Sequence, residues 1–253
     1  MVDELQLLSG VDIPFYSAPI TIHQPTLKEI AFIGEENFFT GTEILKFSKK
    51  SLVEDDKEKL KSKSDFNIIM NLINEGRNPL LKKHSVGAKM VLALMLPDYI
   101  MKFQKSERII LLKENDETFK TEINSSNYGE FQEIIKKMYC LGGEDSQEYN
   151  PQGDLAKKIA DKLKKGAQKR ASLNGDFTGK YNILSKFVSI LATGSNISIN
   201  EIMNYTVYQL YDHYQRYVLK INYDLYQQSL FAGAKNPKEV DHWMKDLYKK
   251  EKE

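Results

Sequence analysis

Three runs in the middle of the chain decide its fold class: Tyr99-Ile100-Met101-Lys102-Phe103-Gln104, Arg108-Ile109-Ile110-Leu111-Leu112-Lys113 and Thr118-Phe119-Lys120-Thr121-Glu122-Ile123. Each alternates or runs apolar in the manner of a strand. The links between them, Lys105-Ser106-Glu107 and Glu114-Asn115-Asp116-Glu117, have lengths that suit hairpin turns. They predict a three-stranded antiparallel meander. Outside it the longer apolar patterns have helical spacing, so the expected class is α+β, mainly α. The N-terminal half should carry short strands and the meander packed on helices, and the C-terminal half an α-helical bundle.

On the N-terminal side, the first 24 residues read as short extended pieces. Ile13-Pro14-Phe15-Tyr16 and Ile20-Thr21-Ile22 are strand-like, with Pro14, Pro19 and Pro25 confining them to edges or ends. Thr26-Leu27-Lys28-Glu29 is a capping box, and the helix it opens should bury Leu27, Ile30, Ile33 and Phe38, with Gly34 a weak spot inside it. A further helical pattern includes Ile44, Leu45 and Phe47. Residues 48–65 hold six lysines and five acids, a solvated or connecting stretch. A helical stripe of Phe66, Ile68, Ile69, Leu72 and Ile73 follows, ending near Gly76 and Pro79. A second helix at 86–96 is apolar on most sides and therefore central.

Beyond the meander, Ser125 or Ser126 should cap a helix that buries Phe131, Ile134, Ile135 and Met138. Residues 142–153 combine turn formers with no apolar periodicity. They divide the chain into an expected mixed domain at 1–145 and a helical domain at 146–253. The second domain contains a basic helix at 154–170, an apolar helix at 181–193 stopped by a left-handed Gly194, and a capped Ser198-Ile199-Asn200-Glu201 turn. A long helix at 206–232 follows, and Pro237 opens a short one carrying Val240, Trp243, Met244 and Leu247.

The chemistry-bearing residues are sparse. His23, His84, His213 and His242 lie in four different segments without metal-ligand spacing, and no phosphate loop is present. Cys140, the one cysteine, cannot form an intramolecular disulfide and has the position of a small buried hydrophobe. No enzyme activity, cofactor or metal is expected. Lys plus Arg total 36 against 35 acids, a net charge of +1, which argues against a dedicated nucleic-acid binder. The first ten residues lack the basic and apolar regions of a signal peptide, and no apolar run reaches the ~20 residues of a spanning helix. A soluble intracellular protein is expected, with no membrane partner.

Two features remain. The helix at 154–170 carries seven Lys or Arg and two Asp, and Lys158, Lys162, Lys165 and Lys169 are candidates for an acidic partner. Seven of fourteen tyrosines fall between 205 and 226, the first five at every third residue. At ~100° per residue such a row drifts by ~60° per step, so some of its members must leave the face of Leu210, Leu219 and Leu225. Tyrosine offers rigid area with a polar tip, which makes Tyr208, Tyr211, Tyr214 and Tyr217 candidate partner contacts. A helix-turn-helix reading of 191–218 is disfavoured, because the start of its second helix shows Tyr208, Gln209, Tyr211 and Asp212 in place of a basic reading face.

Several blocks carry a resemblance. Residues 22–30 (Ile22-His23-Gln24-Pro25-Thr26-Leu27-Lys28-Glu29-Ile30), Ile33-Gly34-Glu35-Glu36 with Phe38-Phe39, residues 127–135 with Met138-Tyr139-Cys140-Leu141, Glu148-Tyr149-Asn150-Pro151, and residues 206–212 are such blocks. They resemble proteins encoded among the tail genes of bacteriophages and prophages of Gram-positive bacteria, in particular tail-assembly chaperones of the baseplate-hub type. The resemblance implies a non-enzymatic chaperone that binds a tail component, a tape measure or hub protein, during virion morphogenesis. It transfers no active-site residue. A structural baseplate or tail protein is the alternative, and a nucleic-acid-binding regulator using the basic helix is a second. Self-association is left open.

Overall fold

A computed structural model of the chain describes residues 2–49, 62–74, 79–104, 107–113, 116–140, 182–233 and 240–245. The boundary near 145 and the basic helix at 154–170 lie outside the described residues, as does most of the charged stretch at 48–65. The fold is mainly helical with two small antiparallel sheets.

The N-terminus differs from the extended reading. Asp3 accepts from the Leu5 N–H and Gln6 returns the bond to the Asp3 N–H, so this capping box starts helix α1 at Glu4–Ser9. Strands β1 (Ile13–Phe15) and β2 (Ile20–Ile22) then pair as a hairpin, and His23 N–H donates to the Met95 carbonyl at 2.8 Å. Helix α2 (Leu27–Ile33) is capped by Thr26 and Glu29 as expected. Gly34 does not sit inside that helix. With φ 82 it ends α2 and opens α3 (Glu35–Leu45), a backbone angle glycine takes without a Cβ penalty.

Helix α4 (Asp65–Asn74) buries Phe66, Ile68, Ile69, Met70 and Ile73. Helix α5 (Pro79–Met95) is the central one, with Ala88, Val91, Leu92 and Met95 fully buried, and it begins seven residues earlier than its apolar run. Helices α3 and α5 cross where Gly41 faces Gly87. A Cβ on Gly41 would strike the Gly87 carbonyl, and one on Gly87 the Asn37 carbonyl.

The meander forms as expected: β3 (Ile100–Gln104), β4 (Arg108–Lys113) and β5 (Asp116–Asn124), in that order. Its buried row includes Ile109, Leu111 and Ile123. Helix α6 (Tyr128–Met138) starts at Asn127, not at a serine. The Asn127 side chain accepts the Asn124 N–H and donates to the Glu122 carbonyl, which ties the helix to the end of β5. From α6, Tyr128 Oη donates to the Leu45 carbonyl at 2.7 Å, and Gln132 donates to the carbonyls of Leu45 and Phe47. The last carbonyls of α3 thus find buried partners.

The C-terminal half comprises α7 (Ile183–Ser195), α8 (Ile199–Ile202) and α9 (Val207–Phe231), a 25-residue helix. Helix α7 runs through Gly194, and Asn196, φ 55, takes the left-handed position that had been given to the glycine. Residues 240–245 form a turn without helix and lie along α9. Leu184, Val188, Leu191, Ile202, Val207 and Leu210 belong to the same buried cluster as the core of the N-terminal half. The join is hydrogen-bonded as well. Thr26 bridges Thr206, and the Leu27 and Lys28 amides donate to the carbonyls of Tyr205 and Met203, each at 2.8 Å.

Candidate functional site

Helix α9 is fixed at its start by Thr206 and Gln209, which form a third reciprocal cap, while the Gln209 side chain also donates to the Leu8 carbonyl of α1 at 2.7 Å. Four successive tyrosines were expected to reach a partner, and the structure separates them. Tyr208 is 7% exposed and belongs to the core, which corrects its assignment as a partner contact. Tyr211, Tyr214 and Tyr217 are half-buried against α7. The Phe187 ring stacks on Tyr214 at 3.9 Å and meets Tyr211 edge-on at 5.3 Å. Tyr217 fills the space where Gly194 has no side chain. These three tyrosines build the seam between α7 and α9 inside the molecule. The burial of Val207, Tyr208 and Leu210 also closes the helix-turn-helix reading, since the N-terminal end of α9 is packed against protein.

What α9 offers outward begins further along. At ~100° per residue, Tyr211, Tyr214, Val218, Ile221 and Leu225 fall in one sector about 80° wide. The first two are covered by α7. Val218, Ile221 and Leu225 are 36%, 36% and 57% exposed. Phe231, at the end of the helix, is 87% exposed. A separate sector of α9 holds residues 240–245: Arg216 donates to the Lys245 carbonyl at 2.5 Å, and the Tyr223 ring meets His242 at 4.5 Å. The first sector has a 3-4-3-4 spacing through 211, 214, 218, 221 and 225, which the period of three of the tyrosines obscures in the sequence.

The remaining candidates are placed apart. His23 Nδ1 lies 2.8 Å from Asp12, and its Nε2 lies 3.3 Å from both oxygens of Glu29. His213 packs on Tyr205 and His242 on Tyr223 and Trp243. Among the described residues no group of three or more His, Cys, Asp or Glu could hold a metal ion. Burial pushes the Cys140 thiol up to about 12, with the Asp212 charge adding to it, so it holds its proton at neutral pH. Lys158, Lys162, Lys165 and Lys169 lie outside the described residues. No described helix is long and apolar enough to cross a membrane.

Residues 178–248 match a family model described as the YomV second domain. That family is associated with Bacillus phages, and the match is consistent with a phage protein. It spans α7, α8, α9 and the segment along α9, the region that carries the exposed face, and it leaves the basic helix outside. No curated protein and no solved structure matches the chain.

Proposed function

We propose that this phage protein is a non-enzymatic assembly chaperone of a tail, acting in the host cytoplasm, that holds a tape-measure or baseplate-hub protein until it is incorporated. The observation that carries the reading is the exposed apolar face of α9 at Val218, Ile221 and Leu225, on a helix whose other end is locked into the core. An apolar face held rigidly at the surface suits transient capture of another chain, because the surface need not reorganise to bind. The resemblance of residues 22–30, 127–135 and 206–212 to tail-assembly proteins supports the same class, and the family match over the C-terminal region is consistent with a phage protein.

The test is co-expression of the tagged chain with the tail proteins of its phage, followed by mass spectrometry of purified particles. A chaperone keeps a tail protein in the soluble fraction and is missing from finished particles. Stoichiometric presence in the particle would assign a structural role instead. Failure to retain any tail protein would overturn the reading.

A further inference from the structure

We infer that the free edge of β3 is a docking edge for an extended acidic segment of another protein, which joins the meander as a further strand. Backbone direction carries the inference. On the far side of the sheet the Asn127 side chain donates to the Glu122 carbonyl and accepts the Asn124 N–H, so the even-numbered backbone groups of β5 point away from β4. In an antiparallel ladder the N–H and C=O of one residue point to the same side, and the side alternates along the strand. The odd-numbered residues of β5 therefore bond β4 through Ile123 on Ile109 and Thr121 on Leu111. That leaves Arg108, Ile110 and Leu112 of β4 to bond Gln104, Lys102 and Ile100 of β3. Met101 and Phe103 face outward, and their N–H and C=O groups meet no partner among the described residues.

The two edges of the sheet differ in a telling way. On β5, Asn127 occupies the outward groups of Glu122 and Asn124, and the Asp116 carboxylate accepts the Thr118 N–H at 3.0 Å. Side chains that take up edge groups in this manner keep a further strand off. The edge of β3 has no such block, and it carries lysine instead. Lys102 is exposed on the outer face of the sheet, and Lys89 of α5 lies over the Phe103 ring, 5.6 Å from its centroid, on the inner face. Neither ammonium pairs with a carboxylate among the described residues. Glu122, the acid in the same cross-strand row as Lys102, is held by Arg108 at 3.0 Å.

These groups select the occupant. Unpaired backbone donors and acceptors in a row call for another extended backbone, since a helix brings none free. A residue entering opposite Lys102 meets the outer ammonium and its neighbour opposite Phe103 meets Lys89, so two adjacent carboxylates are the complement. A β-branched residue suits the place opposite Met101. A second copy fits poorly. The antiparallel register that uses Met101 and Phe103 of both chains sets Lys102 directly against Lys102, a repulsive pair.

The probe is the peptide Thr-Val-Glu-Glu-Val-Thr, acetylated, amidated and fluorescently labelled, whose sequence is the same in either strand direction. Anisotropy with the full chain should show saturable binding. Exchanging both glutamates for lysine, or N-methylating alternate amides, should weaken it at least tenfold. Lys102→Glu should weaken the acidic probe at least tenfold and admit the lysine probe, a reversal that lost folding does not produce. Met101→Pro deletes an outward N–H without touching the ladder to β4 and should also weaken binding at least tenfold. Tyr16→Ser, at an exposed site in the β1–β2 turn, should leave it unchanged.

An N-methylated probe that binds as well as its parent overturns the edge. So does a lysine probe that binds Lys102→Glu no better than wild type, or an acidic probe that wild type does not bind. None of these bears on the chaperone reading, which rests on α9 and is tested with tail proteins. Two further results overturn the inference by naming another occupant. Slow hydrogen exchange at the Met101 and Phe103 amides of the free chain assigns the edge to the chain's own residues. A wild-type dimer that Met101→Pro disperses assigns it to a second copy.

Discussion

His23 shows how a single residue can look idle in sequence and be engaged in the fold. Burial alone would depress its pKa. The hydrogen bonds to Asp12 and Glu29, with the charges of both, outweigh burial and hold it above the ordinary value. Burial would likewise raise Glu29, but the amide and hydroxyl of Thr26 and the imidazole of His23 hold it below its usual range. The signs follow from linkage. Because the folded pKa of His23 is raised, its contribution is complete below ~6.5 and is lost as pH rises through the folded value. The contribution of Glu29 is present above ~4.3 and is lost as pH falls through its lowered value. Stability from this pair is therefore greatest between the two, and His23→Gln should flatten the alkaline limb of a stability-versus-pH curve. A wild-type and variant pair with parallel curves from pH 6 to 9 would refute it.

Gly194 makes a second point at this scale. Its sequence position inside an apolar helix suggested a stop, yet the helix continues, and the reason for glycine is the Tyr217 ring beside it. Gly194→Ala should cost about 1–3 kcal/mol by overpacking, partly offset by ~1 kcal/mol of helix propensity. Adding Tyr217→Phe leaves most of the clash, since the ring carbons also crowd the site, whereas Tyr217→Leu should relieve it. Urea denaturation of the single and double variants would decide, and an equal cost in all backgrounds would count against the ring as the cause.

Among the elements, the crossing of α3 on α5 is the tightest. Each of Gly41 and Gly87 faces backbone, which cannot rotate away as a side chain can. Gly41→Ala and Gly87→Ala should each lower stability by about 1–3 kcal/mol despite the better helix propensity of alanine. A raised melting temperature in either would show that the helices do not approach this closely. The start of α2 was legible because the reciprocal cap Thr26-Leu27-Lys28-Glu29 announces it. Starts were missed where the cap lies at Asp3 beside a β-rich segment, and misplaced where Asn127 bonds to the preceding strand. The Asn127 bonds to Asn124 and Glu122 are short-range, but they run backward to the strand, whereas a capping box is read forward into the helix.

At the scale of the whole molecule, the two halves meet through a carboxylate as well as through the core. Asn182 gives α7 no side-chain cap. Glu35 from α3 supplies it, accepting the Leu184 N–H at 2.6 Å together with the Ser185 amide and hydroxyl. Glu35→Ala should cost about 1–2 kcal/mol. The single tryptophan, Trp243, reports on the C-terminal region, while circular dichroism reports on all helices. Both signals should share one midpoint and shift together in the variant. Separate midpoints in wild type would mean that the halves do not unfold as a unit.

By itself the sequence determined the class, mainly helical with one meander, and the identity of most buried stripes, because strand and helix periods are properties of neighbouring residues. It also supplied every tyrosine of α9 without saying which way each would face. Only the tertiary structure decided that. A row drifting by ~60° per step meets α7 at some positions and solvent at others according to where α7 ends. The placement of a second helix turned the tyrosines inward and left Val218, Ile221 and Leu225 exposed.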